Sequence, residues 1–272
     1  NVHPTLVRNW RIKYCSDRLS ADETQEIDEK FEEENVDADF MKMLEDEVEQ
    51  DNQNDSDEIK GNKYIMNALK RENGQRNYIS KGLSGADGDD IILISDVDEI
   101  PNLTNIDFNN KNEKIIMFQQ DMFYYKFDLK LPGTIWSGTK GCRKKDLLSP
   151  QWLRNVKDRK YSFFRIDTLF SKKKYQSIKF IENGGWHFSN MKTPAEIEKK
   201  MRTYLHHREY DIKPLGTKKI EEIIKSKKSI YNLKVDMKTE KIDGTQNLKP
   251  TDKSELPDFI KKNSIKYSNW ME

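Results

Sequence analysis

The stretch Asp90-Ile-Ile-Leu-Ile-Ser-Asp-Val-Asp-Glu-Ile-Pro101 constrains this chain more than any other. The apolar run Ile91 to Ile94 reads as a buried strand. Charge then arrives at once, as Asp96, Asp98 and Glu99, and Pro101 stops the strand from continuing. A buried strand running into a polar loop belongs in an α/β sheet, where ligands bind beyond the carboxyl ends of strands. Carboxylates crowded at that point repel one another. A divalent cation with hard oxygen ligands relieves the repulsion, and Mg²⁺ or Mn²⁺ on one or two carboxylates keeps positions open for phosphate oxygens. A diphosphate-bearing substrate is the natural third partner. The competing reading of Asp-x-Asp alone is a solvated acidic turn.

Around this strand the pattern predicts further elements. Trp10 to Cys15 alternates like a strand, and Tyr64 to Leu83 suits a helix ending near Gly82 and Gly85. Strands are expected at Lys114 to Gln119, Met122 to Leu129, Tyr161 to Leu169 and Ser177 to Ile181. Ala195 to His207 reads as a helix, with Pro194 at its first turn and Ile197, Met201 and Leu205 on one face. Residues 21–60 set eighteen acids against three lysines, a solvated insertion with two short helical stripes at most. The expected organisation is an opening strand region at 1–15, an acidic helical or disordered insertion at 16–61, a core at 62–235, and a linker with a tail helix at 236–272.

Composition narrows the function. The 272 residues suffice for one large domain or two small ones. With 48 basic against 47 acidic residues the net charge is +1, so nothing global points to nucleic acid or an anionic membrane. No apolar run is long enough to span a bilayer. The two cysteines, Cys15 and Cys142, cannot build a disulfide framework, which favours a reduced compartment.

Three further clusters carry chemistry-bearing residues. Glu182-Asn-Gly-Gly-Trp-His-Phe-Ser189 offers two glycines, a flat indole at Trp186, His187 as a ligand or hydrogen-bond donor, and Glu182 as a candidate base. The bland reading is a Gly-Gly turn before a buried Trp-Phe pair, with His187 in the core. His206-His207-Arg208-Glu209 ends the predicted helix, where a cation is favourable on structural grounds alone. Gln75-Arg76-Asn77 lies on the helix before the carboxylate strand; it is an exposed polar face or a guanidinium that reaches a phosphate.

Taken together, "GQRNYISKGL", "DDIILISDVDEIP", "NGGWHFS", "KKMRTYLHHRE" and a late "LPDFI" resemble glycosyltransferase family 17. That family includes enzymes that add the bisecting β-1,4-linked N-acetylglucosamine to the core mannose of N-glycans, with many bacterial and viral relatives. The resemblance covers about residues 62–235 well, the tail weakly and 16–61 not at all. It implies a GT-A-like, Rossmann-like mixed sheet flanked by helices, a nucleotide-sugar donor (UDP-GlcNAc), a glycan acceptor and inversion at the anomeric carbon. By motif matching, Asp96 and Asp98 would hold Mn²⁺ or Mg²⁺ on the donor diphosphate, with His207 as a further ligand. Arg76, Asn77 and Glu99 would stand on the donor side, and Gly184, Gly185, Trp186 and His187 would line the sugar end. The base is left open between Glu182 and Glu209, with Asp128 behind them and His187 among the catalytic candidates.

The family's usual opening strand, helix and strand before the Gln-Arg-Asn helix are not recognisable, so an N-terminally truncated member is expected. A cytoplasmic bacterial or viral setting is expected rather than a Golgi lumen. Two rivals stay open. One is a phosphohydrolase of the haloacid dehalogenase type, although Ile100 stands where that signature wants Thr or Val. The other is a non-catalytic glycan-binding remnant.

Overall fold

The computed structural model describes residues 12–15, 56–104, 106–108, 113–162, 164–168, 170–203, 210, 213–231 and 246–272. The helical stripes expected within 21–60 and the whole His206–Glu209 cluster lie outside these residues. The fold is α/β, a mixed sheet flanked by helices, as the Rossmann-like expectation requires. Among the described residues, no helix is long and apolar enough to cross a membrane. The chain divides into two compact units.

The first unit comprises residues up to Val97, Asp107–Ile116 and Lys140–Lys179. Here β1 (Ile12–Cys15) pairs antiparallel with β2 (Ile91–Ile94), and β2 pairs antiparallel with the last four residues of β5 (Leu129–Arg143). Every residue of β2 is buried, as a strand covered on both faces must be. Helix α1 (Asp57–Tyr78) starts earlier than the periodicity suggested, because Ser56 caps it by accepting the Ile59 N–H. The predicted continuation to Leu83 tightens into a 3₁₀ turn at Ile79–Leu83. Helix α2 (Pro150–Asn155) begins at the cap Ser149, with Pro150 in the first turn. Among the described residues of Tyr161 to Leu169 the expected strand does not form: they make a loop with a 3₁₀ turn at Ile166–Thr168. Their aromatic alternation has no sheet face to bury against, since Phe164 and Ile166 stay exposed.

The second unit comprises Asp98–Ile106, Met117–Thr139 and Phe180–Glu272. Its strands run in the order β5, β4 (Ile115–Tyr124), β7 (Gly185–Ser189), β3 (Glu99–Pro101). β4 and β7 are parallel, whereas β3 and β7 are antiparallel, which makes the sheet mixed. The strands expected at 114–119 and 122–129 are one strand, β4, and the start of β5. β6 (Ile178–Ile181) pairs with β4, and the two-residue β8 (Lys249–Pro250) with β5.

β4 is central and its side chains alternate between two cores. Met122 and Tyr124 join Leu129, Ile197, Met201 and Ile220 on one side. That side is closed by α3 (Pro194–Met201) and α4 (Gly216–Lys225). Phe123 meets Phe188, Leu256, Ile260 and Met271 in the other. The predicted tail helix therefore docks, but only as α5 (Asp258–Lys262) and a 3₁₀ turn at Ser268–Trp270. Phe127 N–H, donating to the Trp270 carbonyl at 2.8 Å, ties the tail down.

Candidate functional site

In the first unit, the Gln-Arg-Asn stretch forms the last turn of α1. Arg76 is buried there and donates to the Gln151 side chain of α2 and to Glu72 Oε1 at 3.1 Å. Its Nη2 also stands 3.7 Å from Asp96 Oδ1. Asn77 is exposed, and its side-chain oxygen accepts the Gln151 N–H at 3.0 Å, which fixes the start of α2. The other end of α2 supplies Arg154, whose Nη2 donates to Asp96 Oδ2 at 3.0 Å. Asp96 thus faces one guanidinium on each oxygen. Arg154 carries no motif signal; only its place as the fifth residue of a capped helix brings it to the strand exit.

In the second unit, β3 and β7 bring Glu99 opposite His187, and the Asp98 carbonyl accepts the Phe188 N–H at 2.8 Å. The two glycines before Trp186 are needed for this pairing. A Cβ on Gly185 would meet the Ile100 carbonyl at 2.1 Å, and one on Gly184 would meet Gln119 N at 2.8 Å. Gly185 also has φ +129, open only to glycine at low cost. The space in front of both glycines is filled by β3 and β4 backbone, not left for a ligand.

Asp98 Oδ2 lies 3.4 Å from His187 Nε2. Burial pushes the Asp98 carboxyl up, but the hydrogen bond and charge of His187, helped by Lys200, outweigh it and hold the carboxyl below its ordinary value. Asp98 is therefore an anion at neutral pH. His187 is buried and its Nδ1 has no hydrogen-bond partner. Trp136 packs against the imidazole, ring centres 5.0 Å apart, and its indole N–H donates to Glu99 Oε1 at 2.8 Å. Gly138 makes room for this arrangement, since a Cβ there would stand 2.9 Å from the Glu99 carboxyl carbon and 1.9 Å from Gln120 Oε1.

Lys200 completes the cluster. Its helix α3 starts with a full capping box between Thr193 and Glu196, with Pro194 at the first turn. Ile197 and Met201 anchor the helix in the core and carry Lys200 beside them. Lys200 Nζ donates to Asn190 Oδ1 at 2.9 Å. Burial lowers its pKa, the Asp98 charge opposes that, and Lys192 adds to it. Asn190 is buried at φ +53 just after β7, and its Nδ2 has no partner.

The remaining sequence candidates fall elsewhere. Glu182 is exposed in the turn before β7. Trp186 turns away from His187: its N–H donates to the Glu255 carbonyl at 2.6 Å and its ring packs on the tail core. The indole beside His187 is Trp136, which no motif announced. Asp128 is buried and accepts the Glu272 N–H at 2.9 Å, a structural duty that takes its carboxylate out of contention as a base. His207 and Glu209 lie outside the described residues.

A resident divalent cation, which the resemblance implies, can be tested against these donors. Asp98, ionised and beside an imidazole, is a donor set such a cation accepts. Asp96 is not, because its oxygens face Arg76 and Arg154. Among the described residues no group of three or more His, Cys, Asp or Glu stands together.

An α/β fold with an ionised carboxylate, a half-buried amine and unsatisfied polar atoms beyond a strand end suits a transferase that handles an anionic donor. The family comparison is specific: the model for Glycosyltransferase family 17 matches residues 30–271, and the chain belongs to that family. It is a glycosyltransferase, and the phosphohydrolase reading is set aside. The match extends further than the motifs did, into the acidic block and through the tail. Neither the curated proteins nor the solved structures hold a match to this chain.

Proposed function

We propose that this glycosyltransferase transfers N-acetylglucosamine from UDP-GlcNAc to a glycan hydroxyl with inversion, at the cluster of Asp98, His187, Lys200 and Asn190. The observation that carries this reading is the pair of buried polar atoms without partners, His187 Nδ1 and Asn190 Nδ2, beside an anion and a cation. Folding alone leaves such atoms costly, so a bound substrate is the natural complement.

In this reading Asp98 would hold the divalent cation, Mn²⁺ or Mg²⁺, which supplies charge neutralisation on the leaving nucleoside diphosphate. Lys200 adds a second positive charge for the same phosphates, pre-positioned by Asn190. His187, oriented by Asp98 and braced by Trp136, presents Nδ1 to the donor. The proton of the attacking hydroxyl goes to one of two carboxylates, Glu182, exposed in the turn before β7, or Glu209. Asp96, in the first unit, holds Arg76 and Arg154. A reduced, cytoplasmic type of compartment fits the free, buried thiol of Cys142, which burial pushes up to about 12.

The test incubates the chain with Mn²⁺, UDP-GlcNAc and a panel of N-glycan acceptors, and reads products by mass. Addition of one N-acetylhexosamine, with the anomeric configuration inverted, supports the reading. Transfer only from another nucleotide sugar, or UDP release with no glycan product, would sink it. Glu182→Gln is expected to lower kcat by about a hundredfold and leave donor affinity alone. An unchanged kcat would move the base to Glu209.

A further inference from the structure

The segment from Lys157 to Lys174 is not absorbed by the site. It carries seven basic residues against Asp158 and Asp167, a net charge of +5 in a chain whose total is +1. Phe164, Ile166 and Phe170 stand 87%, 69% and 85% exposed. Large apolar side chains held in water within a stretch of net positive charge are unusual on a folded surface and mark an interaction site.

The loop is nevertheless built. The Lys157 N–H donates to the Lys173 carbonyl at 2.8 Å and closes its two ends. Buried Thr168 anchors its middle, accepting from Gln176 Nε2 at 2.8 Å and donating to the Arg165 carbonyl at 2.7 Å. Trp152 holds the far side through its N–H to the Lys172 carbonyl at 2.6 Å and an edge-on contact with Tyr175. These bonds fix the frame while the apolar tips project from it.

We infer that this loop is a docking surface for an anionic lipid bilayer, with Phe164, Ile166 and Phe170 entering the interface and the flanking lysines and arginines meeting the headgroups. Charge complementarity commits the surface to a negative partner. The apolar tips, one of them aliphatic and so unable to stack on a base, favour an acyl interior over a nucleic-acid strand. The loop is too short and too charged to cross the bilayer, so the contact is peripheral.

The full chain is sedimented with vesicles of phosphatidylglycerol and phosphatidylcholine, with phosphatidylcholine vesicles and a uridine oligonucleotide as comparison arms. Binding is expected to the anionic vesicles alone and to weaken with salt. Phe164→Ser with Phe170→Ser should lower the partition coefficient about a hundredfold, from two lost apolar insertions. Neutralising Lys172, Lys173 and Lys174 to Gln should have an effect of similar order. Ile59→Ser, at an exposed apolar position of α1, should change nothing, and the serine variants should melt as the parent does because those altered side chains are exposed. No binding to anionic vesicles overturns the inference. So does tighter binding of the oligonucleotide, an undiminished partition in the double serine variant, or an equal loss in Ile59→Ser.

Discussion

Asp96, in the first unit, faces two guanidinium groups, whereas Asp98, in the second, faces an imidazole and a half-buried ammonium. The two residues are separated only by Val97. The difference lies in what else their partners hold. Arg76 is also bound to Glu72 and Gln151, and guanidinium stays charged at any working pH, so Asp96 sits in a network whose chief ties are protein to protein. Around Asp98 the partners keep open positions, at His187 Nδ1 and Asn190 Nδ2. The comparison proposed is therefore that Asp96 secures structure and Asp98 serves a substrate.

The sharpest way to break this comparison is Asp98→Asn, which keeps the shape and removes the charge. Transfer is expected to fall about a thousandfold in kcat/KM, several kcal/mol of transition-state stabilisation. Stability at neutral pH should fall by the contribution that the ionised carboxylate makes. The acid limb should change, with a definite sign. Asp98's folded value lies below its ordinary one, so its ionised form stabilises the fold above about pH 4 and that contribution is lost as pH falls through the folded value. The Asn variant should lack that loss in an acid titration of melting. Near-normal transfer by Asp98→Asn would remove the functional half of the comparison.

Asp96→Ala tests the other half. Breaking a buried pair typically costs 3–5 kcal/mol; with Asp96 about a third exposed and Arg76 keeping two partners, about 2 kcal/mol is expected. The urea midpoint should drop with its slope unchanged. A variant that lost transfer at unchanged stability would show that Asp96 touches substrate.

Much of this arrangement was legible before the structure. Ile91 to Ile94 has no reading but a buried strand, and its polar exit follows from the letters. Pro194 and the shared face of Ile197 and Met201 announce α3, because first-turn chemistry and helical spacing are local. β5 was not legible. Pro132, Gly133, Gly138 and Gly141 look like breakers, yet a Cβ at Gly141 would stand 2.5 Å from the Leu93 side chain, so a glycine there permits close strand packing. Trp136 was missed for the same reason: it lies on that unread strand, and its neighbour His187 is distant in sequence. The opposite error arose at Tyr161 to Leu169, where alternation without a pairing partner produced a loop.

Trp136 extends the comparison to side chains that touch charge without carrying it. Trp136→Phe keeps a ring against His187 and deletes the N–H to Glu99, which is buried. A lost hydrogen bond to a buried carboxylate costs about 1.5 kcal/mol, so roughly a tenfold fall in kcat/KM is expected. A fall in melting temperature with unchanged kinetics would make the indole a brace for the sheet alone.

The smallest expected effect concerns how Lys200 is placed. Thr193→Ala removes the side-chain half of the capping box and should cost about 1 kcal/mol, a fall of roughly 2–4 °C in melting temperature. Lys200 lies near the far end of α3, and Ile197 and Met201, fully buried, hold the helix by packing. Helices in proteins owe most of their stability to such packing, so fraying at the start should leave the amine in place and kcat within about twofold. If kcat fell in step with melting temperature, the helix start rather than the core would position Lys200. The second cluster would then be as tightly tied to local structure as the first.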